Sequence, residues 1–142
     1  AAALALGAQG VWMGSAWLTT EEAETHPVVK EKFLRASSSD TIRSRSLTGK
    51  PARMLRSGWT EAWEDPSNPR PLPMPLQPRL VREAQARIAR SAHKNPGAAE
   101  LSNYFVGQIV GSMKHVKSVR SVMEELAQEY ADTMERLDEW AK

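Results

Sequence analysis

The stretch GAQGVWMGSAWL, residues 7–18, decides how this chain is read. Val11, Trp12 and Met13 form a short apolar run with large side chains on both faces. That pattern predicts a strand covered on both sides, as in a parallel α/β sheet. Ahead of it, Ala1 to Leu6 are strong helix formers without an N-cap, and Gly7 stands at the C′ position that closes a helix. Helix, tight turn and strand make half of a repeating βα unit. A helix without a start signal marks the chain as a piece of something longer.

The predicted strand stops at Gly14-Ser15, which admits two readings. Gly-Ser pairs commonly mark turns and nothing more. Alternatively, Gly14 lets an anion approach the backbone closely and Ser15 adds a hydroxyl donor. A helix N-terminus aimed at the same spot would favour the anion further. In (β/α)₈ barrels phosphate is bound at the C-terminal ends of the last two strands.

Working outward, 142 residues suffice for one domain of ordinary size. Lys and Arg number 19 against 17 Asp and Glu, a formal charge of +2. That balance lacks the basic excess of a phosphate-backbone binder, so no nucleic acid partner is expected. There is no cysteine, hence no disulfide framework, thiolate nucleophile or Cys-based zinc site. His26, His93 and His115 lie far apart without metal-ligand spacing, so no metal is expected. The opening AAALALGAQG has no basic n-region or cleavage context and is too short to span a bilayer. No membrane partner is expected, and the composition fits a cytoplasmic protein.

Thr19 and Glu22 match a capping box, and Thr25 with Pro27 offers a second helix start. Val28, Phe33 and Leu34 would give that helix its apolar face. Ser37 to Asp40 read as a loop. TIRSRSLTGKPARML is expected to be extended, with a turn at Thr48-Gly49-Lys50-Pro51. Residues 65–78 hold six of the nine prolines and read as an extended connector. A basic helix is expected over 79–94, with Leu80, Ala84, Ile88 and Ala92 along one side. From about Ser102 to Lys142 apolar residues recur at three and four, which predicts helix. Basic residues precede acidic ones there, an order that opposes the macrodipole of one continuous helix. A break is therefore expected near Lys117–Ser121, with Ser118 or Ser121 as the new cap.

Residues 1–36, AAALALGAQGVWMGSAWLTTEEAETHPVVKEKFLRA, resemble the FMN-binding end of the nitronate monooxygenase (2-nitropropane dioxygenase) family, itself related to the FMN-dependent enoyl-ACP reductases. DTIRSRSLTGKPARMLRS resembles the family's Asp-Thr … Gly-x-Pro-Ala-Arg segment, and GQIVGSMKHVKSVRSVMEEL its Gly-Gln segment and final helix. The three blocks stand in family order. The proline-rich middle adds nothing to the resemblance.

The resemblance implies an α/β fold: the C-terminal fragment of a (β/α)₈ TIM barrel with an added, mostly helical subdomain. Residues 1–36 would carry the last strand and flanking helices, 37–64 an extended segment, 65–78 the connector and 79–142 the helical region. The rest of the barrel would be the chain's partner. It implies FMN as cofactor, its phosphate held at Trp12, Met13, Gly14 and Ser15. Ser15 keeps the hydroxyl of the usual Thr. Trp12 replaces the usual Gln, which removes a side-chain contact. Ala16 stands where Arg is common, which removes a charge. The implied reaction is oxidation of a small-molecule nitronate with O₂ to a carbonyl compound and nitrite. The family's catalytic histidine belongs to a Gly-His-x-Gly-like motif that this chain lacks, so no catalytic residue is assigned. His26 reads as a helix-capping or surface residue.

Two other readings stand beside this one. An enoyl-ACP reductase-like enzyme would draw on NAD(P)H to reduce the same flavin. A non-enzymatic interaction module would use the basic helix to meet an acidic surface. Trp59 and Trp63, four residues apart, could stack on a ligand or pack against a neighbouring helix.

Overall fold

The hairpin that the turn at Thr48–Pro51 implies is present. The computed structural model describes residues 1–141, and in it β1 (Thr41–Ser44) pairs antiparallel with β2 (Ala52–Leu55), with Thr41 opposite Leu55 and Arg43 opposite Arg53. Gly49 turns the chain with φ +78°, and a Cβ there would run into the Leu72 carbonyl and the backbone of Pro73 and Met74. Only glycine satisfies both demands. Residues 104–106 lie along the other side of β2: the Leu55 amide donates to the Tyr104 carbonyl at 3.1 Å and the Val106 amide to the Arg53 carbonyl at 3.2 Å.

Six α-helices surround this unit among the described residues: α1 (Ala2–Ala5), α2 (Pro27–Arg35), α3 (Gly58–Glu64), α4 (Leu76–Ser91), α5 (Pro96–Leu101) and α6 (Val119–Ala141). They close two apolar clusters. In the first, Val29 and Phe33 of α2 meet Leu55, Val106, Val110 and Met113. In the second, Trp59 of α3 meets Val81 and Ile88 of α4, with Leu47, Trp63 and Leu101 at the edge. Burying side chains of this size is worth about 1.5–3 kcal/mol each.

Polar side chains join the two clusters. Gln77 of α4 is fully buried; it accepts from the Leu72 amide at 2.9 Å and donates to the Ser46 carbonyl at 2.7 Å, tying helix, connector and hairpin together. Lys32 of α2 donates to the Glu100 and Ser102 carbonyls, each at 2.9 Å, and so holds the end of α5. Burial lowers the pKa of that ammonium from the ordinary lysine value, partly offset by the nearby Glu100 carboxylate.

Several expectations are corrected. The strand over residues 10–13 is absent: this segment joins no ladder among the described residues, and Trp12 is 101% exposed. A strand exists only through its neighbours, and none of the described residues pairs with this one. Gly7 does follow the N-terminal helix with φ +95°, as the C′ reading requires. Thr19 and Glu22 do not open a helix; α2 starts at Pro27, and its cap is His26, not Thr25. The buried face of α2 is Val29 and Phe33 rather than Val28 and Leu34.

The basic helix runs over residues 76–91, three residues ahead of its expected place, so the connector ends at Pro75. Its inner row is Gln77, Val81 and Ile88, with Ala92 just beyond, whereas Leu80 is 58% exposed. Ile88 and Ala92 of the expected row are buried, while Leu80 and Ala84 give way to Gln77 and Val81 in the first half of the helix, where Val81 packs with Trp59 and Leu47. Residues 102–118 are not α-helical: they run beside β2 and then make a 3-10 turn at Gln108–Ser112. Of the apolar residues whose spacing predicted helix here, Met113 is buried, whereas Ile109 is 52% and Val116 43% exposed; Val106 and Val110 fill the core instead. The predicted break is found: α6 starts at Val119, where Ser118 Oγ accepts from the Ser121 amide at 3.1 Å and the Glu22 carboxylate accepts from the Val119 amide at 2.9–3.0 Å.

Candidate functional site

The loop that follows the apolar run is short and held at both ends. The indole Nε1 of Trp17 donates to the Met13 carbonyl at 2.8 Å, and Ser15–Trp17 form one 3-10 turn. The Trp17 amide donates to the Gly14 carbonyl at 3.2 Å and the Leu18 amide to the Ser15 carbonyl at 3.1 Å. The amides of Gly14, Ser15 and Ala16 engage no acceptor among the described residues. The Ser15 hydroxyl accepts from the Gly107 amide at 2.8 Å, so its own proton stays available to donate.

Gly14 and Ser15 line an open cleft of about 390 Å³ together with Leu18, Arg53, Tyr104 and Gly107, among others; Ala16 is not on its lining. Arg53 Nη1 donates to the buried Thr41 hydroxyl at 2.9 Å, which fixes the guanidinium through one of its five donors. The lining is mostly apolar, with Leu18, Tyr104, Phe105 and Val106, and its polar part is the Gly14 backbone, the Ser15 hydroxyl and one cation, without a carboxylate. That polar edge holds the kind of groups that meet an anion.

Of the four residues expected at a cofactor phosphate, the structure brings Gly14 and Ser15 to this cleft. Met13 is half-buried and offers its carbonyl to Trp17. The Trp12 side chain projects from the molecule and lines neither this cleft nor the larger one described next. Arg53 and Gly107 are the additions. Arg53 sits in the Gly-x-Pro-Ala-Arg segment already singled out, but nothing in the sequence says that the hairpin delivers it opposite Ser15.

A second, larger cleft of about 600 Å³ shares Leu18 and Tyr104 with the first and runs between the start of α2 and α4. His26 lines it, with Nδ1 accepting from the Val28 amide at 3.3 Å, which fits the helix-capping reading. Asn103 Oδ1 and Gln85 Nε2, from residues on its walls, are buried without partners among the described residues. His93 and His115 are exposed. Trp59 and Trp63 have ring centroids 5.9 Å apart and pack in the second apolar cluster, so the packing reading of this pair holds. On α4, Arg87 and Arg90 pair with Glu83 at 3.0 and 3.3 Å. Among the described residues no group of His, Asp and Glu could hold a metal ion, and no helix is long and apolar enough to cross a membrane.

Comparison with known proteins defines the class. The nitronate monooxygenase family model matches residues 1–129, and the chain belongs to that family. The chain is 63% identical over 139 residues to the Mycobacterium tuberculosis protein named "Putative monooxygenase Rv1533", covering 96% of this chain and 37% of that protein. It is 36% identical over 128 residues to a Bacillus subtilis protein named "Probable nitronate monooxygenase", covering 90% of this chain and 35% of that one. Among solved structures, FabK from Thermotoga maritima superposes with a TM-score of 0.70 at 29% identity, over 98% of this chain and 42% of that chain. The chain thus spans little more than a third of these curated relatives, and its α/β architecture resembles that of FabK.

Proposed function

We propose that this chain is the phosphate-binding end of an FMN-dependent nitronate monooxygenase, formed with the remainder of a (β/α)₈ barrel. Residues 1–36 would close the barrel, and the hairpin with α3 to α5 would form the added subdomain. The observation that carries the reading is the cleft lined by Gly14 and Ser15, whose amides are uncommitted, and by Arg53, in a chain of this family.

The residues fit the phosphate of FMN. A phosphate monoester needs several donors and a countercharge in one place, and the cleft offers both without a competing carboxylate. Bound there, FMN would supply the redox chemistry that takes electrons from an alkyl nitronate and passes them to O₂, giving a carbonyl compound and nitrite. This chain's own part is to hold and orient the cofactor. Met13 and Gly14 contribute backbone, Ser15 a hydroxyl, and Trp12 at most its backbone. The proton-handling residue of such a reaction would lie in the remainder of the protein.

Each charge-assisted contact contributes about 1.5–3 kcal/mol to binding. In the intact protein, Ser15→Ala should weaken FMN binding several-fold while turnover of the flavin-loaded enzyme stays near wild type. Equal FMN affinity in the two proteins refutes the assignment. The likeness to FabK supports a second reading, an enoyl-ACP reductase-like enzyme on the same cofactor site. Anaerobic stopped-flow reduction decides between them: a nitronate bleaches the flavin in the first case, NAD(P)H in the second.

A further inference from the structure

We propose that Arg53 is the countercharge of the cleft and makes it selective for a phosphorylated ligand over its unphosphorylated counterpart. The inference rests on the flavin reading only for the identity of that ligand.

The hairpin register sets Arg43 directly opposite Arg53. Like charges facing each other across an antiparallel ladder destabilise it. The ion pairs of the described residues involve neither arginine, so the repulsion is left uncompensated inside the chain. Arg53 is half-buried, and its fork is held by Thr41. An exposed, floppy arginine would cost less; this one is aimed.

Its target follows from the backbone. The segment 104–106 is bonded to β2 at Arg53 and Leu55, and the next residue, Gly107, donates to Ser15. The hairpin is therefore fastened to the 14–16 loop through one continuous backbone path, and Arg53 and Ser15 line one cleft. The loop itself, Gly14-Ser15-Ala16-Trp17-Leu18, carries no cation. A dianion resting on its amides would go unneutralised without Arg53, the charged residue on the cleft lining among the described residues. A guanidinium with four remaining donors matches a phosphate monoester better than a point charge does.

The test compares FMN with riboflavin, which has the same ring and ribityl chain and lacks the phosphate. Flavin is stripped from the intact protein and rebinding is followed by flavin fluorescence for wild type, R53Q, R53K and R43E. R53Q should lose FMN affinity by about ten- to a hundredfold while riboflavin affinity holds within about twofold. R53K should fall between. R43E, outside the cleft, should give a smaller loss for FMN alone, because the new carboxylate draws the guanidinium across the ladder. An unchanged FMN-to-riboflavin ratio in R53Q overturns the proposal, including the case where both affinities fall together. If the wild-type protein takes up neither flavin, the flavin reading fails by itself. Inorganic phosphate is then titrated against wild type and R53Q, watching the Ser15 and Gly107 amide resonances. Shifts present in wild type and lost in R53Q uphold the anion role of Arg53, and their absence in wild type overturns it.

Discussion

Residues 15–113 and the two ends of the chain solve the same problem differently. Between Ser15 and Met113 lie both apolar clusters: Phe33, Met54 and Val110 are fully buried, and Gln77 satisfies both ends of its amide, although Leu80 and Ile109 stay exposed. Before Ser15, Trp12 and Leu6 are exposed by 101% and 90%. After Met113, α6 runs 23 residues without one buried side chain, and Met123, Tyr130, Met134, Leu137 and Trp140 lie exposed along it. Large exposed apolar surfaces of this kind usually serve as contact faces. The comparison teaches that the middle of the chain buries a core of its own, whereas both ends are tied to it by a few hydrogen bonds and bury no side chain among the described residues. On the proposed reading, the remainder of a barrel covers the ends.

Phe33→Ala is the hardest test of the self-sufficient middle. It empties the centre of the first cluster and should cost about 3–5 kcal/mol in denaturant unfolding of the intact protein. A loss under about 1 kcal/mol would put the core elsewhere. Gln77→Leu comes next. It keeps the apolar bulk but strands the Leu72 amide and the Ser46 carbonyl, each costing about 1–3 kcal/mol when left unpaired. Full wild-type stability in that variant would show that α4 and the hairpin are not joined there.

Asp40 gives a smaller, pH-dependent effect. Hydrogen bonds from the Ser37 amide and hydroxyl hold its carboxyl below the ordinary aspartate value. A depressed carboxylate stabilises the fold above its unfolded pKa of about 3.9, and the contribution is lost as pH falls through the lower folded value. Asp40→Asn should therefore lower stability at neutral pH, leave the acid end little changed and so flatten the acid limb between them; an unaltered acid limb contradicts the role. The smallest expected change carries the most information about the ends. If Trp12 is as exposed in the intact protein as it is here, Trp12→Ala shifts stability by no more than about 0.5 kcal/mol. A loss above about 2 kcal/mol would show that further chain covers it, as the barrel reading requires.

How far the sequence could be read follows from the range of the forces involved. Gly49 with Pro51 announced the hairpin, Pro27 the start of α2, and the order of charges around Ser118 the start of α6, because turn geometry, capping and dipoles act over a few residues. Gly14 and Ser15 were legible as a candidate anion loop for the same reason. The strand at residues 10–13 was not settled by its own side chains, since a ladder needs a second backbone. The burial of Gln77 and Val81 in place of Leu80 and Ala84 on α4, and the extended path of residues 102–106 where spacing suggested helix, were set by Trp59 and by β2 across the fold.

The sequence by itself determined the hairpin turn and the starts of α2 and α6, and it singled out Gly14-Ser15 as a candidate anion loop. Tertiary structure alone decided which helical face is buried and that a hairpin arginine lines one cleft with the serine of that loop. Local chemistry is written in neighbouring residues, but a cleft shared by residues 38 positions apart exists only once the backbone between them has folded.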